Sequence, residues 1–250
     1  MELKVIAYAR NGHTDKFGIP RQSRDESPII TRIVFEPEYR IPEALRGIEG
    51  YSHLWLIWGF SRSFSSHTSS STAWQEVLGD ARSPQKSKIS GDPNSLDWSP
   101  TVRPPRLGGN TRMGVFATRS PFRPNPLGLS SVRLLGIENG ELIVSGADML
   151  DGTPIYDIKP YLSFSDSHPD ALNGFAEEHK DTRLEVDWNG KSLGLPLDIK
   201  SSITYILAQD PRPGYQDDPN REYKLDYAGY NVSFFVKNQI VFVKKIEKQK

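Results

Sequence analysis

Residues 129–159 read LSSVRLLGIENGELIVSGADMLDGTPIYDIK, and their texture decides the fold class. Residues 129–137, 141–148 and 155–159 are short runs rich in Leu, Ile and Val. Runs of that length and composition suit a pleated, half-buried surface better than a helix. Asn139-Gly140 separates the first two. Asn-Gly accepts the positive φ that a two-residue hairpin turn demands, so an antiparallel pair is expected there.

The same texture continues outward. Residues 3–10 (LKVIAYAR), 28–35 (PIITRIVF) and 113–118 (MGVFAT) read as strands. Residues 51–60 (YSHLWLIWGF) form the most apolar run and read as a buried central strand. Residues 42–47 hold one helical turn, and helical periodicity is otherwise scarce through residue 160. After Tyr161 the texture changes. Residues 163–180 are polar and read as a linker, and 183–188 read as a strand. A helical pattern runs over 199–209 through Ile199, Ile203, Ile206 and Leu207. Residues 222–237 and 239–246 alternate and read as a closing hairpin that turns at Lys237-Asn238.

The expected fold is therefore mainly β. An antiparallel β-barrel domain spans residues 1–164, and a small α+β C-terminal domain spans 165–250. Residues from about 62 to 97 form a Ser-rich, charged insertion, with a short helix expected over 72–78. So long a connection is uncommon in a compact domain and suggests a lid or a surface insertion.

Composition narrows the function classes. The 250 residues carry 31 basic and 31 acidic side chains, 36% hydrophobic residues and no Cys. Lack of Cys excludes disulfides, thiolate metal sites and Cys nucleophiles. No run approaches the roughly 18–20 apolar residues of a membrane helix, and MELKVIAYARNGHTDK lacks the apolar core of a signal peptide. A cytoplasmic protein without membrane contact is expected.

Neutral overall charge conceals an uneven distribution. Between Trp98 and Ile137 there is no Asp, Glu or Lys, where the chain average would place about five acids. The same stretch carries Arg103, Arg106, Arg112, Arg119, Arg123 and Arg133. Guanidinium groups bind phosphate or carboxylate in a planar, bidentate way that Lys does not match. The stretch is read as an anion site; the alternative is that its arginines pair with acids elsewhere.

Other chemistries lack their signals. His13, His53, His67, His168 and His179 are scattered without metal-ligand spacing, so no metal is expected. His53 is read as a satisfied core residue. There is no GxSxG, P-loop or strand-associated GxGxxG, which argues against a Rossmann nucleotide site.

The densest motif is RPPRLGGNTRMGVFATRSPFRPNPLG, residues 103–128. Pro stiffens the chain, Gly permits close approach of a ligand, and Arg supplies charge. Such a loop is pre-organised for an anionic ligand. Phe116 and Phe122 are candidates to stack on a base. Phe116 is assigned instead to the core of a strand, and Phe122 is left open.

RPPRLGGNTRMGVFATRSPFRPNPLGLS, with KFGIPRQ, GIEGYSHLWLIWGF and DMLDGTPIYDIKPYL, closely resembles the TsaA-like family. QDPRPGY, residues 209–215, resembles a motif of that family's bacterial C-terminal domain. The match runs from about Leu3 to Tyr161 and resumes near Ala208. The resemblance implies a non-Rossmann, β-barrel methyltransferase, usually dimeric. It would use S-adenosylmethionine to methylate N6 of threonylcarbamoyladenosine beside the anticodon of tRNA.

The resemblance also implies a site. Pro20, Arg21, Gln22, Phe60, Ser61, Arg119, Leu129, Gly146, Ala147, Asp148 and Met149 would contact the cofactor. Either Arg21 or Arg119 would bind its carboxylate. Arg103, Arg106, Arg112 and Arg123 would receive the threonyl carboxylate and the tRNA phosphates, with Arg212 and Tyr215 helping from the C-terminal domain. Methyl transfer is an in-line displacement that needs the acceptor held about 3–3.5 Å from the methyl carbon. The urea-type acceptor N–H needs a base or a stabilised anion. Asp148 and Asp157 are the candidates, whereas Asp151 in Asp-Gly-Thr-Pro reads as a turn residue. The chain departs from the family at Ser61, where the family carries His, and in roughly twenty-five extra residues after it. Rival readings are a non-catalytic RNA- or nucleotide-binding barrel, and a methyltransferase with another substrate.

Overall fold

The computed structural model describes residues 3–20, 22–60, 98–104, 111–179, 183–212 and 218–249. Arg21, Ser61, Arg106, Tyr215, the insertion at about 62–97 and the helix expected over 72–78 lie outside the described residues. In chain order the strands begin with β1 (Ala7–Arg10), β2 (Ile30–Phe35), β3 (His53–Gly59), β4 (Thr101–Val102) and β5 (Met113–Gly114). Next come β6 (Leu127–Glu138), β7 (Glu141–Ser145), β8 (Pro154–Pro160) and the short helix α1 (Ser163–Asp166). β9 (Glu185–Asp187), α2 (Leu197–Ala208), β10 (Tyr223–Tyr227), β11 (Tyr230–Lys237) and β12 (Ile240–Lys248) complete the chain. Two compact units result: Met1–Gly59, Leu129–Pro211 and Asp218–Lys250 form the first, Phe60–Gly128 and Arg212–Asp217 the second.

In the first unit, six strands close into a barrel in the order β1-β2-β7-β6-β3-β8. Alternation explains the closure. Ala7 and Ala9, Ile33, Leu54 and Leu56, Val132, Leu142 and Val144, and Ile155 all point inward and are buried. Register keeps them together: Ala9 faces Ile33, Ile33 faces Leu142, and Ala7 faces Ile155. The expected Asn-Gly turn is present. Glu138 pairs with Glu141, and Asn139 and Gly140 take φ of 52° and 76°, as a type I′ turn requires.

The first unit also holds a four-stranded sheet, β10-β11-β12-β9. Helix α2 buries Ile203, Ile206 and Leu207 in one cluster with the sheet residues Tyr223, Leu225, Phe234 and Val243. Ile29, just before β2, and Phe17 belong to that same cluster. The polar loop before β2 is thus sewn to the C-terminal sheet. The Ala228 N–H donates to the Gly12 carbonyl at 2.9 Å, and Arg183 pairs with Glu26.

Five expectations need correction. Residues 113–118 are not one strand: β5 gives way to a 3-10 turn, Val115–Ala117. Residues 222–237 are two strands, broken at Ala228 and Gly229, whose φ values are 49° and 78°. The following turn centres on Asn238 and Gln239, because Lys237 already pairs with Ile240. His53 is not core: its Nε2 meets the exposed Asp25 carboxylate at 2.9 Å and its Nδ1 lies 2.8 Å from Ser52 Oγ. The polar stretch read as a linker holds α1, where Asp166 accepts from the Trp55 indole at 2.8 Å.

Candidate active site

In the first unit, the segment Gly146–Met149 links β7 to the turn before β8, and three contacts hold it. Gly146 has φ +87°, and a Cβ there would stand 2.8 Å from the Arg24 carbonyl oxygen. Only glycine fits that close approach in that conformation. Met149 is buried, and its carbonyl accepts from the Asn11 side-chain amide at 3.0 Å. The Asn11 Oδ1 accepts the His13 N–H at 2.9 Å, and its backbone N–H donates to Asp151 at 3.1 Å. Asp151 therefore serves the turn, as its sequence context suggests.

Asp148 receives the third contact. Ser130, inward on β6 and 1% exposed, donates its hydroxyl to Asp148 Oδ1. Trp58, inward on β3, donates its indole N–H to Ser130 Oγ at 2.9 Å. Two strands of the barrel thus aim one carboxylate. Asp157, the other candidate base, is engaged otherwise: its carboxylate pairs with Lys159 at 2.9 Å and accepts the Ile158 N–H.

Pro20 is buried, Gln22 is half-buried and Ala147 is buried, while Leu129 leaves 56% of its surface in solvent. Beside Arg24, Asp25 accepts from Arg133 and His53, and these two hold its carboxyl well below the usual carboxylate range. Arg133, at the end of the acid-free stretch, pairs with Asp25.

In the second unit two main-chain closures tighten the segment that carries Arg123. Arg123 N–H donates to the Pro121 carbonyl at 2.8 Å, and Leu127 N–H to that of Asn125 at 2.8 Å. These two-residue closures turn the Pro-rich segment into a rigid hoop. Phe60 donates its N–H to the Pro126 carbonyl at 3.1 Å. Arg119 is exposed, and Arg103 and Arg212 are half-buried. Arg112 donates to Thr101 Oγ1 at 2.8 Å. Arg123 turns part of its guanidinium inward, to the carbonyls of Val115 at 3.1 Å and Thr118 at 2.7 Å.

Phe116 overturns its assignment. It is 70% exposed, and only its neighbour Val115 is core. A 3-10 turn lacks the strand's two-residue alternation, so the inward position falls one residue earlier.

Sequence reasoning also missed Ser130, Trp58 and Asn11. Ser130 and Trp58 had a signal: Ser130 shares inward parity with Val132, and an indole N–H on the apolar run needs an acceptor. Asn11 had only a local cue, its contact with the His13 N–H two residues on, because Met149 and Asp151 lie 138 and 140 positions away.

A closed six-strand barrel with a braced acidic loop is not a Rossmann sheet, and the described residues of the second unit carry arginines and no Asp or Glu. The chain belongs to the tRNA-methyltransferase O family. The model of that family's N-terminal domain matches residues 8–167, and that of its C-terminal domain matches residues 182–249. A tRNA (adenine(37)-N6)-methyltransferase of Escherichia coli is 32% identical over 248 residues, covering 94% of this chain and 93% of that protein. A Pseudomonas aeruginosa protein with the provisional name S-adenosylmethionine-dependent methyltransferase is 37% identical over 231 residues, 88% of this chain and 86% of its own. The crystal structure of TrmO from Pseudomonas aeruginosa superposes with a TM-score of 0.73 at 28% identity, covering 99% and 98% of the two chains.

Proposed function

We infer that this chain is an S-adenosylmethionine-dependent tRNA (adenine(37)-N6)-methyltransferase, and we propose that its substrate is threonylcarbamoyladenosine at position 37. It works in the cytoplasm as a homodimer, with the barrel domain over 1–164 and a small C-terminal domain over 165–250. Family membership over both domains and the names of the relatives support the activity.

The observation that carries the chemistry is the Trp58–Ser130–Asp148 chain. The residues present fit the cofactor. A loop whose Gly146 leaves no room for a side chain, an aimed carboxylate and the exposed apolar Leu129 supply close approach, polar contact and an apolar wall. By the family resemblance, Pro20, Arg21, Gln22, Phe60, Ser61, Arg119, Leu129 and Gly146–Met149 would hold it. S-adenosylmethionine supplies an electrophilic methyl group when bound. Asp148 would accept the proton of the N6 nitrogen as that nitrogen gains the methyl group and the sulfonium S–C bond breaks, leaving a neutral thioether. Arg103, Arg106, Arg112 and Arg123 receive the threonyl carboxylate and the phosphates, helped by Arg212 and Tyr215.

The test is transfer of labelled methyl from S-adenosylmethionine to tRNA. Label is expected on tRNA bearing threonylcarbamoyladenosine and not on tRNA lacking it. Equal labelling of both would overturn the substrate. No labelling, together with no calorimetric binding of the cofactor, would overturn the activity.

A further inference from the structure

Phe116 breaks the rule that a large aromatic ring is buried when the chain can bury it. It is 70% exposed, yet the chain around it is tightly fixed. Val115 beneath it is 1% exposed, and its N–H donates to the Pro100 carbonyl at 3.0 Å. The Val115 carbonyl accepts from Thr118 Oγ1 at 2.8 Å and from Arg123 at 3.1 Å. The ring is therefore displayed by a rigid ledge.

Its neighbours suit one kind of occupant. The Arg123 guanidinium carbon lies 5.6 Å from the ring centroid, and the Trp98 ring lies 5.8 Å away, tilted by 32°. Even with both in place, most of Phe116 still faces solvent. The described residues of this unit carry Arg103, Arg112, Arg119, Arg123 and Arg212, and no Asp or Glu. A flat apolar face among cations, with no acid among the described residues of its unit, is complementary to a nucleobase on a phosphate chain.

We propose that Phe116 is a substrate-positioning residue, the stacking platform for an unpaired base of the tRNA loop that carries the target adenosine. Arg123 has two roles in this arrangement. It staples the ledge through the Val115 and Thr118 carbonyls and places positive charge beside the ring. The proposal rests on the methyltransferase reading for the identity of the RNA, but not for the stacking itself.

The test uses the full chain and two readouts: filter binding of tRNA without cofactor, and steady-state methyl transfer. Phe116→Ala is expected to weaken tRNA binding and raise the KM for tRNA about tenfold, with much less change in kcat. Phe116→Tyr and Phe116→Trp are expected to restore both. Because the lost contact is not ionic, the slope of log K against log salt stays that of the parent. Calorimetric affinity for S-adenosylmethionine and the gel-filtration volume also stay unchanged.

Unchanged tRNA affinity in Phe116→Ala overturns the proposal. So does a loss of cofactor affinity, which would place the ring in the cofactor pocket. A change in oligomeric state would mean that a second copy covers it, and also overturns the proposal. Should the parent bind tRNA without methylating it, the functional reading falls while filter binding still decides the platform.

Discussion

Trp58 donates its indole N–H to Ser130 Oγ at 2.9 Å inside the barrel. An indole can only donate, so the serine oxygen must accept and its own proton is free for Asp148. The direction of the chain is thus set by residue type.

Ser130→Ala is expected to leave the Trp58 N–H buried without that acceptor, and Asp148 without the brace. A buried donor left unpaired costs about 1–3 kcal/mol, visible as a lower urea midpoint. Asp148→Asn keeps the shape and removes the proton acceptor. A drop in kcat of about 100-fold or more is expected, in the range of general base catalysis. Asp157→Asn, whose carboxylate is taken up by Lys159, is expected to stay within about threefold of the parent. The reverse ranking in a methyl-transfer assay would move the base to Asp157.

Gly146→Ala brings a methyl group to within 2.8 Å of the Arg24 carbonyl oxygen at a φ of +87°. Strain of about 1–3 kcal/mol is expected, with weaker binding of S-adenosylmethionine as the loop shifts. Thermal unfolding and calorimetry read the two effects. A variant with parental cofactor affinity would separate this loop from the cofactor.

His13 is fully buried, neither ring nitrogen finds a hydrogen-bond partner among the described residues, and its ring meets Tyr227 edge-on at 5.1 Å. Burial pushes its pKa down from 6.5 to about 4. The unfolded chain therefore binds this proton more readily than the folded one, and stability rises with pH across that window. The contribution is fully present above about 6.5 and is lost as pH falls through about 4. It amounts to ~3 kcal/mol at most. Urea midpoints at pH 5 and pH 7 are expected to differ in the parent and much less in His13→Leu. Equal differences in both would show that other groups govern the acid sensitivity.

Arg119→Ala is expected to abolish calorimetric binding of the cofactor. Arg106→Ala and Arg112→Ala are expected to spare it and weaken tRNA, each lowering the salt slope by about one. If all three variants bound both ligands like the parent, the division of roles among the arginines would be wrong.

Much of the architecture was legible because alternation and turn chemistry agree in the barrel. Residues 53–59 alternate with Leu54, Leu56 and Trp58 inward, and Asn139-Gly140 announces its own turn. Reading failed where the local cue was misleading. Ala228 takes φ 49°, a conformation alanine seldom adopts, so the break between β10 and β11 left Gly229 as its one mark in the sequence. MGVFAT has strand composition but folds as a turn, because Arg123 reaches back to its carbonyls from eight residues further along. For the candidate site, resemblance pointed to Gly146–Met149, whereas the brace on Asp148 depends on contacts between residues 72 and 18 positions apart.

The closure of β1 onto β8 has a consequence for how the chain behaves in concentrated solution. Each member of the six-strand ring already has a neighbour on either side, so an incoming extended peptide has no row of main-chain groups to zip onto. Among the described residues, open flanks remain on the four-stranded sheet, at β10 and the three-residue β9, and on the β4-β5 pair, whose strands have two residues each. Among the described strands, the five-residue β10 is therefore the longest margin open to fibril growth or strand exchange seeded on the native state.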